Sequence, residues 1–156
     1  MFRSACLAAA LVALTAAPVF AGPSESSFLS RLVGSWSGSG NLTGAEDGPV
    51  SCRIDFHGSA GKVVYQGRCN IQDMGAQSFA GGITYDDASH RFLNRSSQGT
   101  ITGIYRGGSL TFTTKAQSDR GRSYSVMTLS PSRISIDFTI LDSSGDKTRA
   151  HISFSK

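Results

Sequence analysis

The sequence predicts an all-β protein, an antiparallel up-and-down barrel of about ten strands with a short N-terminal helix. Three observations carry that expectation. From Val33 onward, apolar residues recur with period two in a succession of short segments. Clusters of Gly, Ser, Asn, Asp and Pro separate these segments at hairpin distances, which leaves no space for crossover helices. Residues that favour helices are scarce: the 156-residue chain has 18 Gly, its charged fraction is 17%, and glutamate occurs only at Glu25 and Glu46. A helical bundle or coiled coil is thereby excluded.

The elements follow in order. Residues 1–21 read as a cleaved secretory signal peptide. Arg3 supplies a basic start, residues 7–17 form a short apolar run, and Val19-Phe20-Ala21 places small residues before the expected cut. The run stops at Pro18 and is too short to span about 30 Å of hydrocarbon. Residues 22–156 are then expected to form a single barrel domain, exported to a periplasmic or extracellular compartment, with no transmembrane segment. Residues 24–32 are the one helix candidate, capped by Ser24, with Phe28, Leu29 and Leu32 on one face. Strands are expected over 34–41, 50–57, 62–71, 77–85, 91–97, 100–106, 109–117, 122–129, 133–141 and 147–155. Alternation is cleanest in the last two, where Ile134, Ile136, Phe138 and Ile140, then Ala150, Ile152 and Phe154, each share a face.

Cys52 and Cys69 are predicted to form a disulfide. An oxidising compartment makes pairing the default for two cysteines. If Ala60-Gly61 is a two-residue turn, Ser59 faces Lys62 and Cys52 falls directly opposite Cys69 in a non-hydrogen-bonded pair, within disulfide reach. The same register gathers Cys52, Ile54 and Phe56 on one face with Val63 and Tyr65, and sends Arg53, Asp55 and His57 to the other.

The charge pattern limits the partners. A formal net charge of +4 comes from singly scattered basic residues with no aromatic interleaving, so nucleic acid is not expected as a partner. A membrane barrel would need an apolar band outside, whereas the second strand face here carries Ser, Thr, Arg and Asp.

The segment Leu32-Val33-Gly34-Ser35-Trp36-Ser37-Gly38-Ser39-Gly40 directly follows the helix candidate. This Leu-x-Gly-x-Trp-x-Gly-x-Gly pattern resembles the opening of calycin-type barrels, and most of all the nitrobindin-like, ten-stranded haem-binding branch. Lipocalins share the Gly-x-Trp, and fatty-acid-binding proteins share the strand number. The resemblance implies that Trp36 plugs a closed barrel end; the alternative is an ordinary core tryptophan. It also implies a haem held by a histidine near the C-terminus, a part that only His151 could take. Alternation, however, sets His151 on the face opposite Ala150, Ile152 and Phe154, and its neighbours do not reproduce the family's sequence at that ligand. A surface histidine is the competing reading.

Trp36, Phe56, Tyr65, Phe79, Ile83, Tyr85, Tyr105, Phe112, Tyr124, Phe138 and Phe154 are expected to face the barrel interior. Of these, Trp36, Tyr65, Tyr85, Tyr105, Phe112, Tyr124 and Phe138 are the candidate ligand-binding residues, because buried phenols need polar partners that an amphipathic ligand could supply. A filled core remains the alternative. No phosphate loop, nucleophile elbow, metal-ligand spacing or catalytic set is present, so no metal site is expected and an enzymatic role finds no support. The function expected is non-enzymatic binding of a small apolar or amphipathic molecule, lipid-like or haem-like. The second hypothesis is an envelope protein-interaction module with a packed barrel and no pocket.

Overall fold

A computed structural model describes residues 23–59, 61–72, 75–119 and 121–156. The expected signal peptide lies outside the described residues. Helix α1 (Pro23–Leu32) precedes ten strands: β1 (Gly34–Gly44), β2 (Gly48–Ser59), β3 (Lys62–Ile71), β4 (Gly75–Asp86), β5 (Arg91–Ser96), β6 (Gly99–Arg106), β7 (Ser109–Ser118), β8 (Gly121–Leu129), β9 (Ile134–Asp142) and β10 (Lys147–Ser155). Each strand pairs antiparallel with its chain neighbours, and β1 pairs with β10, so the meander closes into a barrel. Closure removes the sheet edges that an open meander would expose.

Strands run longer than the sequence predicts at several turns. Gly44 and Gly48 read as loop residues, yet they complete the ladders as Gly44↔Thr148 and Leu42↔Gly48. At Gly44 the backbone has φ 118°, and a Cβ there would lie 2.0 Å from the Lys147 carbonyl oxygen, so glycine extends the strand where any side chain would end it. The helix also begins earlier than expected. With Pro23 as its first residue, Ser24 sits inside the first turn and donates to the Glu25 carboxylate (2.6 Å) rather than capping the backbone.

The β2–β3 hairpin has the predicted register. Ser59 faces Lys62, Cys52 faces Cys69, and the two cysteines are joined by a disulfide with Cα atoms 4.0 Å apart.

Two halves of the barrel differ. At one end α1 lies across the opening and inserts Phe28, Leu29 and Leu32, all fully buried. They meet Trp36, Phe56, Phe92, Leu110, Leu129 and Ile134 in a continuous core. The indole Nε1 of Trp36 donates to the Leu32 carbonyl (2.8 Å), tying the helix end to the first strand. The Lys156 ammonium lies 5.1 Å from the Trp36 ring centroid and donates to the carbonyls of Arg31 (2.8 Å) and Val33 (2.9 Å). A cation on the carbonyls at and just past the C-terminal end of a helix is favourable. This end is closed. The opposite end, ringed by the turns that follow β1, β3, β5, β7 and β9, is open.

Candidate ligand cavity

The open half of the barrel holds a cavity of about 390 Å³. It exists because the inward positions of β7 and β8 shrink toward the open end. Phe112 is followed on that face by Thr114, and Met127 gives way to Ser125, which faces Phe138 across the ladder. Apolar walls come from Val50, Ile71, Phe79, Ile101, Ile136 and Ile152. Polar groups gather toward the mouth as Gln77, Ser78, Ser96, Ser97 and Gln98. No Asp, Glu, Lys, Arg or His is among the described lining residues. The Cys52–Cys69 disulfide is mostly buried on the same wall, with Cys69 on the lining.

The mouth is lowest on one side. The β4–β5 ladder ends at Gly81↔Ser96, so residues 75–80 of β4, roughly 20 Å of strand, run on beyond its last pair. Beyond the short β5–β6 hairpin, β6 pairs with β7 only from Ile104↔Thr111 to Arg106↔Ser109. Residues 99–103 and 112–118 therefore fork apart, and Phe112 fills the crotch against Gly103, where a Cβ would lie 2.7 Å from its ring.

Two polar side chains lie deep in the cavity. Asn94 on β5 is 5% exposed and Tyr65 on β3 is 6% exposed, and the phenol donates to the Asn94 amide oxygen at 3.1 Å. Burial pushes the Tyr65 phenol above its ordinary range, partly offset by the Asn94 hydrogen bond. The phenol is therefore held as the neutral donor. Its ring stacks toward Phe56 (5.6 Å) in the packed half and Phe79 (6.4 Å) in the hollow half.

The candidate residues divide into three groups. Tyr65, Phe112 and Phe138 line the cavity. Trp36, Tyr85 and Tyr105 point inward but belong to the closed end. Tyr85 and Tyr105 pack on Phe92 at 5.0 and 5.4 Å, and Tyr105 also on Phe28 at 5.0 Å. Burial, with Glu25 and Asp87 nearby, raises the Tyr85 phenol. Tyr124 corrects the expectation. It pairs with Lys115 and Thr139 on the outer face, is 42% exposed, and lies 5.9 Å from the Lys115 ammonium. β8 carries apolar residues on both parities, Tyr124 and Val126 against Met127 and Leu129, so alternation alone is ambiguous there. The pairs Leu129↔Ile134 and Met127↔Ile136 decide it. Asn94 was absent from the sequence-derived set, although its shared parity with Phe92 in the predicted strand is the signal that could have found it.

His151 stands on the outer wall, as alternation implies. Its Nδ1 lies 2.6 Å from the Asp137 carboxylate and its Nε2 3.1 Å from the Ser153 hydroxyl. β10 runs in unbroken register through this position, from His151↔Asp137 to Ile152↔Ile136, with no bulge to turn the ring inward. His57 pairs with Val64 on the outer face, and His90 lies in the turn after β4. With no imidazole facing the cavity, these residues do not fit a haem bound through histidine.

The fold is similar to that of the S-type phycobiliprotein lyase CPES from Guillardia theta, at a TM-score of 0.57 and 13% identity over 82% of this chain and 89% of that one. It is also similar to Rv2717c from M. tuberculosis, at 0.54 and 13% over 86% and 99%. The fold is calycin-like. At this identity the likeness concerns the fold alone. No protein-family pattern matches the sequence, and no curated protein matches it.

Proposed function

We propose that this chain is an exported, non-enzymatic calycin-like binding protein whose barrel holds a small, neutral, amphipathic molecule. The observation that carries the reading is the cavity of about 390 Å³, apolar in its walls and polar at its mouth, in the open half of a barrel whose other half is filled. That size falls within the usual range of ligand pockets, and mostly apolar linings with a few placed polar groups are their ordinary composition. A packed interaction module would have no reason to leave this half hollow. The likeness to a phycobiliprotein lyase is in keeping with an interior that serves a small molecule. The absence of a charged or imidazole group from the described lining residues argues against anionic and haem ligands.

The test uses Nile red, a neutral dye whose emission rises in apolar surroundings. Wild-type protein is expected to bind it saturably at one site, and Ser125→Trp, which fills the cavity, to abolish binding while keeping the far-ultraviolet spectrum. No saturable binding by wild type overturns the reading. Export is tested separately, through the N-terminus of protein recovered from cells expressing the full chain. A cut after Ala21 in the exported fraction supports it, and intact chain retained in the cytosol overturns it.

A further inference from the structure

Asn94 and Thr148 are, apart from Tyr65, the buried polar residues among those described. The neighbours of Asn94 across the ladders are Ile83 and Ile101, so the sheet surrounds it with apolar side chains. A carboxamide offers one acceptor oxygen and two N–H donors. The oxygen is taken by the Tyr65 hydroxyl at 3.1 Å, and that hydroxyl has no other acceptor among the described residues, which orients the amide. The Nδ2 group has no hydrogen-bond partner among the described residues. It is not sealed either, because no inaccessible side-chain nitrogen or oxygen lacks a partner. The space it opens on is the cavity, of which Asn94 forms part of the wall.

An oriented donor on the wall of an apolar cavity that no protein group takes up is left to solvent in the free protein, and an acceptor arriving with a ligand can take the solvent's place. The charge on that acceptor is constrained as well. With no cation among the described lining residues, a carboxylate or phosphate would be buried there without a counter-charge, at a large desolvation cost. We propose that Asn94, positioned by Tyr65, is the anchor that recognises a neutral carbonyl oxygen of the ligand (a ketone, ester or amide) deep in the barrel, while the ligand's apolar remainder lies along Ile101, Met127 and Phe138. This inference rests on the ligand-binding reading above and specifies which ligands the cavity takes.

The test compares three molecules of one chain length as competitors of Nile red: methyl nonyl ketone, n-undecane and undecanoate. Wild type is expected to bind the ketone about tenfold more tightly than the alkane, the usual worth of a buried hydrogen bond, and to bind the carboxylate more weakly than the ketone. Asn94→Leu, which keeps the size and removes the donors, should erase the ketone's advantage over the alkane. Tyr65→Phe, which frees the amide to rotate, should lower the ketone's advantage over the alkane. If Asn94→Leu does not fold, Asn94→Ala serves, and the ketone's advantage should again vanish.

Equal binding of ketone and alkane by wild type, or an advantage that survives the Asn94 substitution, overturns the anchor while leaving the ligand-binding reading intact. Failure of wild type to bind Nile red and all three molecules overturns both.

Discussion

The Tyr65 phenol touches both halves of the barrel, with its ring among the packed aromatics and its hydroxyl in the cavity, and its ionisation therefore reports on the site. Burial raises its folded-state pKa above the ordinary phenol value of 10.0. The protonated form is thus favoured by folding, and its contribution to stability is complete below the unfolded phenol's pKa. As pH rises past that value, the unfolded chain releases the proton first and stability falls, until the folded phenol also ionises. Tyr65→Phe is expected to cost about 1 kcal/mol at neutral pH, the hydrogen bond to Asn94, and to make the alkaline decline shallower. Tyr85, whose phenol is also raised, supplies part of the slope that remains. Urea unfolding at a series of alkaline pH values checks this, and an unchanged slope in Tyr65→Phe would refute it. His151 and Tyr124 have no such link to the interior. Strand parity sets them on the outer surface beside Asp137 and Lys115, where exposed pairs contribute little.

Among the elements, the β2–β3 hairpin was the most legible in the sequence. Its turn and its alternation converged on one register, and that register alone placed two cysteines within bonding distance. The disulfide closes a sequence separation of 17 residues, and replacing both cysteines by serine is expected to cost about 3 kcal/mol in chemical unfolding. An effect below about 1 kcal/mol would mean that the ladder holds this wall without its cross-link. Other elements were less legible for identifiable reasons. β8 is apolar on both faces, so only its partner strand reveals which face turns inward. The fork between β6 and β7 left no local trace, because residues 99–103 and 112–118 each have a strand pattern and what separates them is the coiling of the sheet around Phe112. The helix start was shifted because Ser24 has the chemistry of a cap but follows a proline that already fits the first helical turn.

For the molecule as a whole, alternation and closure foretold a cylinder but not its contents. Whether a barrel is full depends on which side chains meet across it, and strand patterns do not carry that information. Here the helix side chains Phe28, Leu29 and Leu32 fill one half, and among the described residues nothing equivalent enters the other. The molecule should therefore open unevenly. Amides of β1, β2, β3 and β10 beside Trp36 and Ile54 sit in long ladders over a packed core, and they should exchange hydrogen slowest, near the limit of global unfolding. The β5–β6 hairpin is held by six pairs on one flank and three on the other above a hollow interior, so its amides should exchange first. A ligand in the cavity would press on Ile101 and Phe112 and brace that fork. Hydrogen exchange with and without methyl nonyl ketone should then show protection gained in residues 94–103 and 112–114 and little change around Trp36. Protection spread evenly over the barrel would mean that the ligand stabilises the fold only globally, by mass action, and that the fork is not where the site yields.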